Sequence, residues 1–196
     1  MYDLPTSIII EDRRYNIRNA GDFRMVLDCF SALQDIDLPK EERIITSLII
    51  FYEDVLSLDD VYNVFDTQEK IEEAANQMMW FFNCGNKNFG NKSNLKLIDW
   101  EQDSQMIASA INKVAGVETR SLEYLHWWTF LGYYGAVGRS TLSTVVEIRK
   151  KIKTGKKLEK HESEFRHENP QYFIWNSTTV EEIEDDDWIK SVWNNE

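Results

Sequence analysis

The sequence predicts a mainly α fold: six or seven helices in one compact domain, with a short N-terminal β-hairpin and an acidic, disordered C-terminal tail. Three observations carry this. The 196 residues include only three prolines and eight glycines, so regular elements can run long before a breaker stops them. Hydrophobic residues make up 42% of the chain, and most recur at i, i+3 and i+4 rather than in strict alternation. Acidic residues concentrate at the C-terminal end, where residues 177–196 hold seven carboxylates against Lys190.

In chain order, "SIIIEDRRYNI" reads as two short strands around a polar turn at Glu11 to Arg13. Asp22 stands before a helix whose Phe23, Val26, Leu27 and Phe30 share a face. Asp37 and Pro39 mark the start of a second helix, with Ile44, Ile45, Leu48, Ile49 and Tyr52 along its stripe. Asp66 lies three residues before Glu69, the spacing of a reciprocal cap, and opens a helix that runs to "MMWFF". A Gly/Asn-rich loop follows. In "LIDWEQDSQMIASAINKVAG", Asp99 and Gln102 form the next cap pair and Gly116 the stop. The segment from Leu122 to Tyr134 reads as a helix, Ser140 to Gly155 as another, and a polar helix ends against Pro170. The expected organisation is a helical domain over 1–172 and an acidic, aromatic tail over 173–196.

Charge and motifs exclude several functions. A net charge of −12 supplies no global positive field for nucleic acid. No apolar run approaches the ~20 residues that span a bilayer, and the N-terminus lacks the basic and apolar regions of a signal peptide. Cys29 and Cys84 stand far apart, in neither metal-ligand spacing nor a disulfide framework. The glycines of "FLGYYGAVG" have no following Lys-Ser/Thr pair, so they do not form a phosphate loop; with Thr129 they suit close approach of another helix. Two Glu-x-x-His pairs, Glu123/His126 and Glu164/His167, match half of a di-iron pattern, but the second lies in the most polar helix of the chain. No nucleophile and base stand in a catalytic arrangement. The expectation is therefore no enzyme, no cofactor and no bound metal.

What remains is "SLEYLHWWTFLGYYG", residues 121–135, apolar nearly all round as a helix. Aromatic side chains of this density serve a core or a protein interface. On a helix Tyr124, Trp127, Leu131 and Tyr134 lie on one side, and we expect that side to face a partner while Trp128 enters the core. Trp188 and Trp193 in the tail are further candidate contacts. The tail either folds back on the basic stretch 149–160, which holds seven cations against Glu159, or presents itself to a partner.

The long string from "LKLIDWEQDSQ" through "SLEYLHWWTFLGYYG" to "KKLEKHESEF" resembles a family of tailed-phage and prophage proteins named after the fifteenth gene product of a phage. The likeness covers residues 1 to about 175. It implies a tail assembly chaperone, acting in the host bacterial cytoplasm, that binds the tape-measure protein and holds it soluble while the tail tube assembles. The tail-tube protein and a second copy of the chain are further partners it brings into question. The alternative is a structural tail or head–tail component built into the virion, with the hairpin pairing strands between subunits.

Overall fold

The computed structural model describes residues 3–86 and 97–175. Among them the chain forms strands β1 (Ser7–Ile10) and β2 (Arg13–Asn16) and helices α1 (Phe23–Gln34), α2 (Lys40–Phe51), α3 (Leu58–Val64) and α4 (Gln68–Phe82). Helices α5 (Ser104–Ala115), α6 (Trp127–Gly135), α7 (Thr141–Lys153) and α8 (Lys160–Glu168) follow. The protein is mainly α with an N-terminal hairpin, as its sequence predicts. The helix that periodicity missed is α3, whose seven residues are too few to establish a stripe. No described helix is long and apolar enough to cross a membrane.

The described chain divides into two compact units, residues 3–86 with 124–129, and residues 97–123 with 130–175. In the first, β1 pairs antiparallel with β2 in the register Ile8↔Tyr15 and Ile10↔Arg13. Alternation sends Ile8 and Ile10 inward, where both are 2% exposed, and Ile9 outward. Helix α4 packs on this hairpin, and α1 packs on α2. The last carbonyls of α2 and the chain beyond it are closed by one side chain. The Arg18 guanidinium donates to the carbonyls of Ile49, Ile50, Tyr52 and Val55 at 2.8–3.0 Å, a cation placed where the helix dipole is negative. Asp22, which stands before α1 in the sequence, caps it by accepting from the Arg24 backbone N–H. The α4 cap falls one residue later than its spacing suggests. Thr67 is in extended backbone and accepts from the Lys70 N–H, while Asp66 pairs with the Lys70 ammonium at 2.7 Å. Pro39 occupies the cap position of α2 itself, and Glu41 and Glu42 fill its first turn.

In the second unit α5 packs on α7. Asp99 accepts from the N–H groups of Glu101 and Gln102, and Asp103 accepts from the Asp99 N–H at 3.0 Å. The reciprocal partner is therefore Asp103, not Gln102, whose amide donates instead to the Ile174 carbonyl. Gly116, at φ 72°, ends α5 in the left-handed conformation that glycine adopts without strain. Asp103 also carries a buried ion pair to Arg149 of α7, with Nη2 to Oδ1 at 2.9 Å. Arg149 further donates to the carbonyls of Leu97 and Tyr172, and its guanidinium lies 4.3 Å from the Trp175 ring. Ser140 and Ser143 close the start of α7, and Glu159 and Glu162 that of α8. A Cβ built on Gly132, Gly135 or Gly138 meets nothing within 4 Å, so no described backbone uses the close approach these glycines offer.

Candidate protein-binding site at the paired tryptophans

The aromatic segment does not enter α6 as one helix. After a 3-10 turn at Thr119–Ser121 the chain is non-helical through His126, and α6 begins only at Trp127. The cause is Asp22. One carboxylate oxygen caps α1, and the other accepts the Leu125 N–H at 2.8 Å, while the Phe23 N–H donates to the Leu125 carbonyl at 2.9 Å. These bonds hold Leu125 and His126 against the start of α1 as a short antiparallel bridge, in which helical backbone cannot form. Tyr124, just outside it, is 48% exposed and donates its hydroxyl to the Ala20 carbonyl at 3.0 Å.

His126 is 1% exposed and bonded on both ring nitrogens. Nδ1 accepts the Trp128 backbone N–H at 3.0 Å, so the ring proton sits on Nε2 and is donated to the Pro5 carbonyl at 3.1 Å. Burial pushes the imidazole pKa down, against the Pro5 hydrogen bond and the Asp22 charge, which push it up. Room for this ring comes from Gly21. At φ 78°, any Cβ there would lie 2.5 Å from Phe81 Cζ and 3.3 Å from His126 Nε2.

The two tryptophans then close the C-terminus of α4. Trp127 donates its indole N–H to the Phe82 carbonyl at 2.9 Å, and Trp128 donates to the Phe81 carbonyl at 2.8 Å. The Phe82 carbonyl is one of the acceptors that a helix end leaves open, whereas the Phe81 carbonyl also accepts the Cys84 N–H at 3.1 Å. The Trp127 ring packs edge-on to Phe30 at 5.7 Å and is 1% exposed. The Trp128 ring is half-buried and meets Trp80 at 5.7 Å. Gly85 lets these rings approach, since a Cβ there would stand 3.2 Å from Trp128 and 3.4 Å from Trp80.

This reverses the orientation expected for the pair: Trp127 is the core residue and Trp128 the one partly open to solvent. Helical phase taken from Leu122 fails because the helix starts five residues later. For the same reason Tyr124 does not share a helix face with Trp127. Leu131 and Tyr134 are half-buried in the second unit, where the Tyr134 ring lies 5.6 Å from Trp100. Trp188 and Trp193 lie outside the described residues.

Trp80 lies outside the aromatic segment that the sequence points to, but its position in α4 holds a signal. The buried residues of α4 are Ile71, Ala74, Ala75, Met78, Phe81 and Phe82, and Trp80 falls off that stripe. A large aromatic off the apolar face of an amphipathic helix needs either a second neighbour or a partner. The Trp128 N–H is directed inward to the Phe81 carbonyl, and the outer ring surfaces of the pair suit dispersion, stacking and cation–π contacts.

Other candidate chemistry is dispersed. Glu123, Glu164 and His167 are exposed, and among the described residues no group of three or more His, Cys, Asp or Glu could hold a metal ion. Cys29 is buried, its Sγ near Met25 and the Ser47 carbonyl, and burial raises its thiol pKa far above the ordinary value. Cys84 is exposed, with its thiol pKa also raised by desolvation.

The sequence model of one protein family, described as Bacteriophage Gp15 protein, matches residues 1–173. No curated protein matches the chain, and no solved structure matches it.

Proposed function

This chain belongs to the bacteriophage Gp15 protein family, and from that premise we propose that it is a tail assembly chaperone that binds the tape-measure protein in the host cytoplasm. The observation that carries the reading is the Trp80–Trp128 pair, two large rings held at the end of α4 with part of their surface open to solvent. Binding energy at protein interfaces concentrates on such aromatic anchors. Their seat is rigid, because the Trp128 N–H is bonded to Phe81 and Gly85 closes behind both rings, so little side-chain freedom is lost on binding. Tyr124, exposed and tied at its hydroxyl, is a further anchor in the same unit. The net charge of −12 keeps a protein with exposed aromatics soluble. Trp127, being core, takes no part in capture.

The test is co-expression with the tape-measure protein, followed by capture, for the native chain and for Trp80→Ala. No side-chain hydrogen bond is described for Trp80, so the variant should fold and lose capture by about tenfold or more. A folded Trp80→Ala chain that captures at full strength would remove the pair from the site. A native chain that captures nothing would remove the chaperone reading. A second reading, a structural component of the tail, draws on Ile9, which stands 62% exposed on the outer face of the hairpin. Mature particles would then contain the chain in stoichiometric amount.

A further inference from the structure

The described surface also carries an apolar ledge with a charge pattern of its own. Leu56, Leu58 and Tyr62 are 71%, 52% and 48% exposed, the densest run of exposed large apolar side chains among the described residues. Leu58 and Tyr62 are one helical turn apart on α3 and so share a face.

The ledge is firmly built. Ser57 Oγ accepts the Asp60 N–H at 3.2 Å and donates to Asp60 Oδ2 at 2.9 Å, and the same carboxylate accepts the Leu56 N–H at 3.1 Å. The opposite side of the segment is anchored by Val55, Val61 and Phe65, all 0% exposed, with the Phe65 ring 5.2 Å from Tyr52. A short helix capped at its start and anchored in the core thus presents three apolar side chains that its own fold does not cover. Isolated exposed apolar residues are ordinary on any protein, but two on one helix face, with a third two residues before the helix, make a cluster of the kind that marks a contact surface.

Charge selects the occupant. Between residues 53 and 69 there are six carboxylates and no lysine or arginine. Glu53, Asp54 and Asp59 are exposed. An acidic border repels an anionic lipid surface or nucleic acid, and attracts cationic side chains that flank an apolar stripe. The i, i+4 pair offers a ridge against which another helix can pack. We propose that the α3 ledge is a docking site for a basic amphipathic helix of a partner protein, with its apolar stripe on Leu56, Leu58 and Tyr62 and its lysines or arginines against the acidic border. This is independent of the Trp80–Trp128 site and of the identity of the partner there.

The test uses the full chain and two synthetic amphipathic helices of about five turns, one of leucine and lysine, the other of leucine and glutamate. Binding is followed at about 150 mM salt for the native chain, for Leu58→Ser with Tyr62→Ser, and for a control with Val114→Ser and Val117→Ser. Melting curves verify that each variant is folded, which exposed positions favour. The lysine helix should bind the native and control chains alike and the ledge variant at least about tenfold more weakly, while the glutamate helix should not bind. Equal binding of the lysine helix to all three chains would reduce the effect to net charge and overturn the proposal. So would comparable binding of the glutamate helix, or no binding of the lysine helix. Sedimentation of the chain alone closes the remaining route: self-association abolished by the ledge variant would make a second copy the occupant and overturn the basic-partner assignment.

Discussion

At the residue scale the two adjacent tryptophans have opposite roles because of where one carboxylate points. Asp22 holds Leu125 in extended backbone, so the helix begins at Trp127 and that ring turns onto Phe30. Trp127→Ala should cost about 3–5 kcal/mol of stability, from lost burial, an unfilled cavity and the unpaired Phe82 carbonyl. Thermal and urea denaturation measure it, and a loss under about 1 kcal/mol would contradict the core assignment. His126 gives a second expectation, with a sign. Its folded-state pKa lies below the ordinary value of 6.5, chiefly through burial. The neutral ring therefore contributes stability that is fully present above about 6.5, the unfolded value, and is lost as pH falls through it toward the lower folded value. Protonation would also remove the Nδ1 lone pair that accepts the Trp128 N–H. Urea titrations at successive pH values should show stability falling as the pH drops below about 6.5, with a shallower fall in His126→Gln. An identical fall in both would assign the effect to other groups.

At the element scale the buried Asp103–Arg149 pair joins the start of α5 to α7, and through the Leu97 and Tyr172 carbonyls it fixes the flanking chain as well. Asp103→Ala should destabilise by about 3–5 kcal/mol, because it leaves a guanidinium buried without its counter-charge. Replacing both residues with apolar side chains should recover part of that loss, and denaturation of the single and double variants separates the two effects. The sequence showed the helices well but this pair not at all. Arg149 opens the basic stretch 149–160, and nothing local distinguishes the one arginine that turns inward from the cations around it. Caps at Asp22, Ser140 and Gly116 were legible because each depends on residues within one turn. The α4 cap slipped from Asp66 to Thr67 because both side chains can cap and only the backbone dihedrals decide between them. The start of α6 was not legible, since its determinant, Asp22, is about a hundred residues away. At the candidate site, Tyr124 is exposed as its sequence suggests, whereas Trp127 is core and Trp128 partly open, the reverse of their expected order, and Trp80 lies outside the aromatic segment that the sequence points to.

At the scale of the whole molecule, an acidic chain with partly exposed aromatic anchors suits the proposed role of binding a partner and then leaving it. Its 34 acidic residues against 22 basic ones set charge repulsion against self-association through exposed rings. A permanent structural subunit has the opposite requirement, a large apolar surface buried for the lifetime of the particle. If the chaperone proposal holds, the chain accumulates in infected cells, co-purifies there with the tape-measure protein, and is missing from mature virions. Quantitative mass spectrometry of lysates and of purified particles measures both quantities in one experiment. The same experiment with Trp80→Ala in the phage genome tests the link from ring to assembly. Losing the anchor should leave the chain abundant in the lysate but free of the tape measure, and should lower the yield of full-length tails. Stoichiometric copies of the native chain in mature particles would contradict the chaperone reading, and the outer face of the hairpin would become the surface to examine next.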